Sequence, residues 1–504
     1  MGLLSRTWRG KKFFKARDWK PLPWLVLTIL VVLVAFQAWA YYFRLPLSLG
    51  PRFILQPWLL RQGFINYENL ADLHTPLAPL IIAVLGPLVP DGLSLAKLVL
   101  VAMLTLTSLL TFATGRLKAG WQAGLWAAGI CVVWSPVFGL EKLWYEVFLA
   151  PVYLVWLSTY QATAAPRSIK TLLFWGFLGG VAVLIKQQAA LVFAVFVLWQ
   201  VLTGWTLHRP PAVVLREAGL QCLAAIVPVA FYIVYQYARA GTLAGFLYWT
   251  IEYQLTSDYK SLAALSPTPV QVRWLVSSGL LLPGTIYSLL DARRKGDRSW
   301  LQLGLALGLV VASSTTVYPR FSFFHLAATL PLLAVVSAMT LVYLARLHNP
   351  VHFIALGLAL VLPVFWLATA GSAYRPVMTA GAPPYVYEYS DLAPLAQQIQ
   401  ARIPLGASVY LFPDDESTSN LYYLLGKLPP RFWIFHYSWN LMDWTIIKIL
   451  NTLAEQPPDW VIYFPGHQDI EARAPDILAY LHDHYQRVAS FQWAQGEAWL
   501  LKRN

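Results

Sequence analysis

Long apolar runs separated by short polar or basic stretches dominate the chain up to about residue 370. A transmembrane helix needs about 20 mostly apolar residues, and several of these runs reach or approach that length. They predict about eleven membrane spans. The predicted spans are 22–42, 93–114, 119–138, 147–162, 171–185, 188–205, 217–239, 272–290, 300–317, 323–345 and 351–370. The pattern therefore indicates an α-helical polytopic membrane protein, with its membrane module at 22–370.

The loop between the first two predicted spans, residues 43–92, contains two shorter helical patterns. Pro51–Gln62 is amphipathic, which predicts a helix lying on the membrane surface. Its apolar positions are Phe53, Ile54, Trp58 and Leu59. Pro76–Val89 is apolar but only about 14 residues long, too short for a normal span, so it predicts an interfacial or re-entrant helix. Thr75 is its expected cap, with Pro76 at the first helical position.

After residue 370 the pattern changes from membrane spans to alternating short strands and helices. Ser408–Phe412 and Trp460–Phe464 are apolar runs of strand length. The predicted helices are Asp391–Arg402, Trp444–Glu455 and Pro475–His484, and a closing hairpin joins Arg487–Trp493 to Glu497–Lys502. This alternation predicts a small α/β domain at 371–504.

Composition and charge supply the orientation. The chain is 58% hydrophobic and 12% charged, and its net charge is +13. Seven basic residues lie in the first 20 positions, whereas 375–504 carries nine Lys/Arg against thirteen Asp/Glu. Basic segments stay on the cytoplasmic side of a membrane. We therefore expect a multi-pass protein of the plasma (inner) membrane with a cytoplasmic N-terminus (1–21) and an extracytoplasmic C-terminal domain, in contact with membrane lipids and with no nucleic-acid partner.

Polar side chains at the predicted outer ends of the spans form a candidate site. Polar groups next to lipid are costly and often mark functional positions. The alternating topology places several such clusters on one side of the membrane. Their candidate site residues are Glu68, Asp72, His74, Glu146, Lys186, Gln187, Tyr318, Arg320 and His325. Acids, bases and cations gathered at one face indicate a site for a lipid with an anionic head and a second, polar substrate.

The chemistry of these side chains predicts their roles. A carboxylate can act as general base on an acceptor hydroxyl. Lysine, arginine and histidine can bind phosphate oxygens and stabilise a phosphate leaving group. Structural interpretations remain open: Asp72 as a helix cap, His74 as an interfacial packing residue, Glu146 in a solvated turn, Lys186 as a snorkelling side chain and Arg320 as a headgroup anchor.

Four segments in this order resemble the GT-C-fold membrane glycosyltransferases, in particular the polyprenyl-phosphate-sugar-dependent group that includes protein O-mannosyltransferases and the aminoarabinose lipid A transferase. They are YENLADLHTPL (67–77), YEVFLAPVYLVWL (145–157), LIKQQAALVF (184–193) and YPRFSFFHLAATLPLL (318–333). The resemblance implies an inverting transfer of a sugar from a polyprenyl-phosphate-linked donor to a lipid, glycan or protein acceptor at the outer face.

The resemblance also implies residue roles. Asp72 is the catalytic position, with Glu68 as its substitute, and Lys186 and Arg320 are ligands of the donor phosphate. Many members have an acidic pair after the first span, where this chain has Gly50-Pro51-Arg52. No cofactor is implied, and no dense acidic cluster indicates a divalent metal.

Two other functions remain open at this point. A transporter or flippase for lipid-linked sugars would have ionisable groups deep within its spans and internal repeat symmetry. Here the charges lie at the ends of the spans, and no repeat of fixed period occurs. A non-catalytic envelope assembly protein would tolerate alanine at Lys186 and Arg320.

Overall fold

The computed structural model describes residues 23–45, 50–256, 282–346 and 392–504, the last without 467 and 494, and a few positions within 259–275 and 353–361. The predicted basic N-terminus, most of the span 351–370 and part of the span 272–290 lie outside these residues. The strands and helices used below are all within them.

Apolar helices form a bundle, which confirms the helical membrane class. In chain order they are α1 Pro23–Trp39, α2 Leu55–Arg61, α3 Leu77–Leu85, α4 Gly92–Ala119, α5 Trp121–Trp134, α6 Tyr145–Thr159, α7 Ile169–Ile185, α8 Ala189–Thr206, α9 Pro211–Ala240, α10 Leu282–Arg294, α11 Ser299–Ser314 and α12 Thr329–Ala345. By length and composition, five described segments could cross a membrane: Trp24–Arg44, Gly92–Ala119, Ala189–Thr206, Pro211–Ala240 and Ser299–Val317. Helices α5, α6, α7 and α12 are apolar but shorter, so the total of eleven spans stays a prediction.

Helix α12 is the centre of the bundle. It packs against α4, α5 and α11, and nearly every residue from Thr329 to Leu344 is buried. Its sequence is apolar on all sides, as expected of a helix surrounded by protein. The loop that leads from α11 into α12 carries Tyr318, Arg320 and His325, so the position of this central helix fixes part of the site.

Helices α7 and α9 approach closely through two glycines. A Cβ at Gly176 would lie 2.2 Å from the carbonyl oxygen of Gln221, and one at Gly180 would lie 2.1 Å from that of Ala225. The four-residue spacing places both glycines on one face of α7, and small residues at this spacing let helix backbones meet in membranes. This contact holds the end of α7 from which Lys186 enters the site.

We expect Gly180→Ala to separate α7 from α9 and to lower the free energy of unfolding by about 1–3 kcal/mol, because the added methyl overfills a tight contact. Gly129→Ala is the matched control, since a Cβ at that helical glycine meets nothing within 4 Å. Thermal unfolding in detergent, followed by circular dichroism, measures both variants. Equal unfolding temperatures for the two would contradict the close approach.

The C-terminal region forms the predicted α/β structure. Its helices are α13 Leu392–Gln400, α14 Asn420–Leu425, α15 Asp443–Glu455, α16 Gln468–Arg473 and α17 Pro475–His484, and its strands are β2 Val409–Phe412, β4 Trp460–Tyr463, β5 Tyr485–Trp493 and β6 Gly496–Arg503. The strands form one sheet in the order β2-β4-β6-β5, with β2 and β4 parallel and the hairpin β5–β6 antiparallel. The domain boundaries themselves stay a prediction.

The first loop of the bundle is joined to this C-terminal region. Strand β1, Leu70–Ala71, pairs in parallel with β3, Trp433–Ile434. Leu55 and Leu59 of α2 are buried in the same hydrophobic cluster as Trp433. A helix is present in the segment Pro51–Gln62, but its predicted position on the membrane surface is therefore wrong. The segment packs between the bundle and the C-terminal sheet. Its apolar face meets protein, which the sequence pattern could not distinguish from lipid.

Helix α3 confirms a short apolar helix in the segment 76–89. Its nine residues, Leu77–Leu85, are too few to cross a bilayer. The predicted cap is wrong, because no side chain caps this helix and the Thr75 hydroxyl donates instead to the carbonyl of Val183, 2.8 Å away. That bond ties the loop 66–77 to the end of α7.

At the other end of the bundle, two arginines are buried in an ion-pair cluster. Arg167 lies 2.9 Å from Glu217, and Arg209 contacts the other oxygen of the same carboxylate. All three side chains are at most 5% exposed. The cluster joins the loops before α7 and α9, so these cations contribute to packing.

Candidate active site

A cavity of about 170 Å³ lies where the bundle meets the C-terminal region. Its walls carry Arg52, Leu73, His74, Lys142, Trp144, Lys186, Gln188, Gln254, Tyr259, Leu265, Thr316, Tyr318, Pro319, Arg320, Ser322, Phe324, His325, Glu416, Tyr437 and Trp439. Four of these described lining residues are lysine or arginine, and Glu416 is the one carboxylate among them. The cavity is therefore suited to an anion.

The loop 66–77 reaches this cavity in a fixed conformation. The Tyr67 hydroxyl donates to the carbonyl of His74 at 2.7 Å. The side-chain amides of Gln187 (2.7 Å) and Gln254 both donate to the carbonyl of Leu73. Because these bonds hold the backbone on both sides of the His74 imidazole, the ring is preorganised.

Asp72 and His74 form a hydrogen-bonded pair, of which the imidazole lines the cavity and the carboxylate lies behind it. Asp72 Oδ1 is 3.0 Å from His74 Nδ1 and accepts from the His74 backbone N–H at 3.1 Å. Asp72 Oδ2 accepts from the Tyr145 hydroxyl at 3.1 Å. The Asp72 side chain is 6% exposed, and the carboxylate is not part of the cavity wall.

The surroundings of this pair shift the pKa values of Asp72 and His74. Burial favours the neutral carboxyl, but the opposing effects of Arg52 and the hydrogen bonds from His74 win and lower the pKa of Asp72 to about 2. Burial also lowers the pKa of His74 below its usual 6.5, although Asp72 acts in the other direction. At neutral pH the pair is therefore a carboxylate beside a neutral imidazole, and the imidazole is the better base.

Arg52 is a lining residue that the sequence interpretation missed. Its Nε is 3.5 Å from Asp72 Oδ1, and its guanidinium lies over the rings of Trp144 (5.1 Å) and Phe435 (4.7 Å). The available signal was the departure from the family pattern, namely an arginine where many members have acidic residues. Here that arginine stabilises Asp72 and adds a cation to the cavity.

Lys186, Glu146 and His325 meet at a second wall of the cavity. Lys186 follows the last residue of α7, Glu146 lies in the first turn of α6, and His325 is in the turn before α12. The Lys186 ammonium contacts Glu146 Oε1, which is also 2.9 Å from His325 Nδ1. Glu146 is fully buried and does not line the cavity; it holds the two residues that do.

The remaining predicted residues divide into two groups. Tyr318 and Arg320 line the cavity and are exposed. Glu68 is exposed but does not line it, and Gln187 is used in the backbone hydrogen bond to Leu73 while its neighbour Gln188 lines the wall. Five of the nine predicted residues thus line one cavity, namely His74, Lys186, Tyr318, Arg320 and His325, and two more, Asp72 and Glu146, contact these lining residues from behind.

The C-terminal region supplies lining residues that the sequence interpretation also missed. Glu416 Oε1 is 3.1 Å from the Lys142 ammonium, and its Oε2 accepts from the Tyr437 hydroxyl at 3.0 Å. Although burial acts to raise it, the nearby cations Lys142 and Arg52 lower the pKa of Glu416 to about 2. The preceding Asp414 is buried and accepts from the Trp433 indole at 2.7 Å, which anchors the loop that carries Glu416.

Among the described residues, no group of three or more His, Cys, Asp or Glu is placed to hold a metal ion. Lysine and arginine side chains supply positive charge to the described part of the cavity wall.

Comparisons with known proteins give different results for sequence and for fold. No protein-family model matches the chain, and no curated protein is significantly similar to it. Solved structures do match. The chain is similar to ArnT from Cupriavidus metallidurans bound to undecaprenyl phosphate, with a TM-score of 0.60, 14% identity, and coverage of 95% of this chain and 98% of that one.

Two further solved structures are also similar to the chain in fold. The oligosaccharyltransferase of Archaeoglobus fulgidus, tethered with an acceptor peptide, matches with a TM-score of 0.54 and 11% identity over 95% of this chain and 74% of that chain. The mycobacterial arabinofuranosyltransferase AftD matches with a TM-score of 0.55 and 14% identity over 95% of this chain and 40% of that chain. At such low identities the likeness concerns the fold alone. The chain therefore has the GT-C fold of these membrane glycosyltransferases, as its four sequence segments predicted.

Proposed function

We propose that this protein is an inverting glycosyltransferase that moves a sugar from a polyprenyl-phosphate-linked donor to a lipid, glycan or protein acceptor. The observation that carries the proposal is the cavity in which four lysine or arginine side chains surround a neutral imidazole backed by a carboxylate. The fold adds support: one structure of this fold holds undecaprenyl phosphate, and an archaeal one holds dolichol phosphate.

The cations of the cavity suit the leaving group. When the bond between the sugar C1 and the phosphate oxygen breaks, its electron pair and a negative charge move onto the lipid phosphate. Arg52, Lys186 and Arg320 line the cavity and can stabilise that charge, with Arg320 able to bind two phosphate oxygens at once. Glu146 and His325 keep Lys186 oriented. Tyr318 lies at the exposed rim beside Arg320.

His74 is the group that we assign to proton transfer. The acceptor hydroxyl gives its proton to the imidazole nitrogen that does not face Asp72, while the hydroxyl oxygen attacks C1 from the side opposite the phosphate. Asp72 accepts a hydrogen bond from the other ring nitrogen, which holds the tautomer that this step needs and stabilises the imidazolium that forms. Asp72 therefore keeps the importance that the sequence gave it, but acts through His74. Glu68, exposed and outside the cavity, has no role in this scheme.

The side of the membrane on which we place the reaction follows from the charge distribution. The basic N-terminal segment and the basic loops favour the cytoplasmic side, and the acidic C-terminal region favours the other side. The cavity lies beside the C-terminal region, so we place the reaction at the outer face of the plasma (inner) membrane.

The test uses the full-length protein in lipid nanodiscs with a panel of synthetic polyprenyl-phosphate sugars. We expect release of polyprenyl phosphate and a product of inverted anomeric configuration, measured by mass spectrometry and NMR. His74→Gln should lower the rate by about 10²–10⁴-fold, the usual contribution of general acid–base catalysis. Glu68→Gln, in the same loop, is the matched control and should keep the wild-type rate.

Each part of the proposal can fail separately. Movement of the lipid across the bilayer of proteoliposomes, without sugar transfer, would replace the transferase by a flippase. Turnover by His74→Gln at the wild-type rate would remove His74 from the reaction, and a loss confined to Glu68→Gln would return the base to that carboxylate.

A further inference from the structure

A row of aromatic side chains leads from the interior of the C-terminal region to the cavity. Trp433, Phe435, Tyr437 and Trp439 occupy alternate positions of one segment, which begins in strand β3 and reaches a turn at Trp439. Successive ring centroids are 4.6, 5.7 and 4.5 Å apart. We call these four residues the aromatic row. Trp433 is buried at its start, and Tyr437 and Trp439 line the cavity at its end.

Two arginines that line the cavity, Arg52 and Arg320, pack on this aromatic row. The Arg52 guanidinium lies 4.7 Å from the ring centroid of Phe435 and 5.9 Å from that of Tyr437. The Arg320 guanidinium lies 5.0 Å from the ring centroid of Trp439. A planar guanidinium is attracted to an aromatic face and stacks on it. Both contacts join cations of the bundle to rings of the C-terminal region.

Arg320 needs such a contact more than Arg52 does. Arg52 is 7% exposed and is fixed by Asp72 and Trp144. Arg320 lies in the connection between α11 and α12, where its backbone pairs with Leu265 but its side chain is exposed. A long exposed side chain samples many rotamers, and each one that turns it away from the cavity weakens its hold on an anion. Trp439 offers a surface that favours the rotamer across the cavity.

Trp439 is itself held rigidly. Its ring stacks on Tyr437 with an interplanar angle of 16°, and the Tyr437 hydroxyl donates to Glu416, which pairs with Lys142 of the bundle. The ring that supports Arg320 is thus tied to the bundle through a second ion pair. The aromatic row and Glu416 together set the distance between the two regions at the cavity.

We propose that Trp439 is a positioning residue for the phosphate of the substrate: it holds the Arg320 guanidinium across the cavity, so that the C-terminal region completes the phosphate site. This inference rests on the proposed function, and it gives the C-terminal region a part in binding the donor.

The experiment is a double-mutant cycle on binding of undecaprenyl phosphate to the full-length protein in nanodiscs. Trp439→Ala should weaken binding about 3- to 30-fold, the range of a cation–π contact. Arg320→Ala should weaken it at least as much, and the double variant no further than Arg320→Ala alone, because Trp439 acts through Arg320. Trp439→Phe should restore most of the affinity, since it keeps an aromatic face.

Trp460→Ala is the matched control. Trp460 lies in β4 of the same region, has the Lys502 ammonium 5.7 Å from its ring and does not line the cavity. It should leave binding unchanged, which separates a local effect from general loosening of the region. Losses for Trp439→Ala and Arg320→Ala that add in the double variant would overturn this inference and leave the proposed function intact. A wild-type protein that binds no undecaprenyl phosphate would overturn both.

Discussion

Replacing Lys186 by methionine is expected to lower the rate of sugar transfer by about 10²–10³-fold, the usual cost of removing one preorganised group that stabilises developing charge. The Lys186 ammonium is part of the cavity wall and is held there by Glu146 and His325. Methionine has a similar length and keeps the packing, but offers no positive charge to the lipid phosphate. Initial rates at saturating acceptor, over a range of donor concentrations, measure the effect.

This variant also leaves the buried carboxylate of Glu146 without its main partner, and removing one partner of a buried pair costs about 3–5 kcal/mol. The control is therefore the double variant Lys186→Met with Glu146→Gln, which removes both charges. We expect the double variant to regain much of the thermal stability but none of the activity. Activity that returns together with stability would mean that Lys186 supports the fold and does not act on the phosphate.

The second large effect is expected for Asp72→Asn. The rate should fall by about 10²–10⁴-fold on the plateau of the pH profile, because the amide does not hold the imidazole in one tautomer as the carboxylate does. Asp72 also raises the pKa of His74 against the effect of burial. Its neutralisation should therefore move the acidic limb of the pH–rate profile to lower pH. In the wild-type protein that limb should already lie below pH 6.5, since burial lowers the pKa of His74.

The direction of this shift distinguishes two mechanisms. With His74 as the base, protonation of the imidazole stops the reaction as the pH falls through its pKa, so the limb follows any change in that pKa. With Asp72 as the direct base, a carboxyl of pKa about 2 would leave the rate flat through the range in which histidine titrates. An acidic limb that stays in place in Asp72→Asn would remove His74 from proton transfer. Tyr145→Phe removes only the hydrogen bond to Asp72 Oδ2. It tests the same pair of residues with a smaller change than Asp72→Asn.

Much of the candidate site could be predicted because costly polar groups stand out in apolar sequence. Asp72, His74, Lys186 and Arg320 were found in this way, and topology placed them on one side. Two assignments were less informative. Glu68 faces solvent and Gln187 holds a backbone carbonyl, and nothing in their local sequence distinguishes these positions from those of their neighbours.

The missed residues share a physical cause. The roles of Arg52, Lys142 and Glu416 arise from partners far away in the chain, which local sequence does not reveal. Lys142 meets Glu416 across 274 residues, and Arg52 meets an aromatic ring of the C-terminal region. The same reason explains the wrong interpretation of Pro51–Gln62. An amphipathic pattern shows that a face will be buried, but the sequence does not say whether lipid or protein covers it.

The helical membrane class, the change to an α/β region after residue 370 and most of the strands and helices of that region could be predicted from sequence. These features follow from hydrophobic period and run length, which are local properties of the chain. Which polar residues act together became clear from the folded structure. Lys186 lies 40 residues along the chain from Glu146 and 139 residues from His325, yet it contacts both. The folded structure also placed His74, rather than Asp72, at the cavity wall. The reason is that the free energy of a buried charge depends on the partners that surround it, and folding alone brings those partners together.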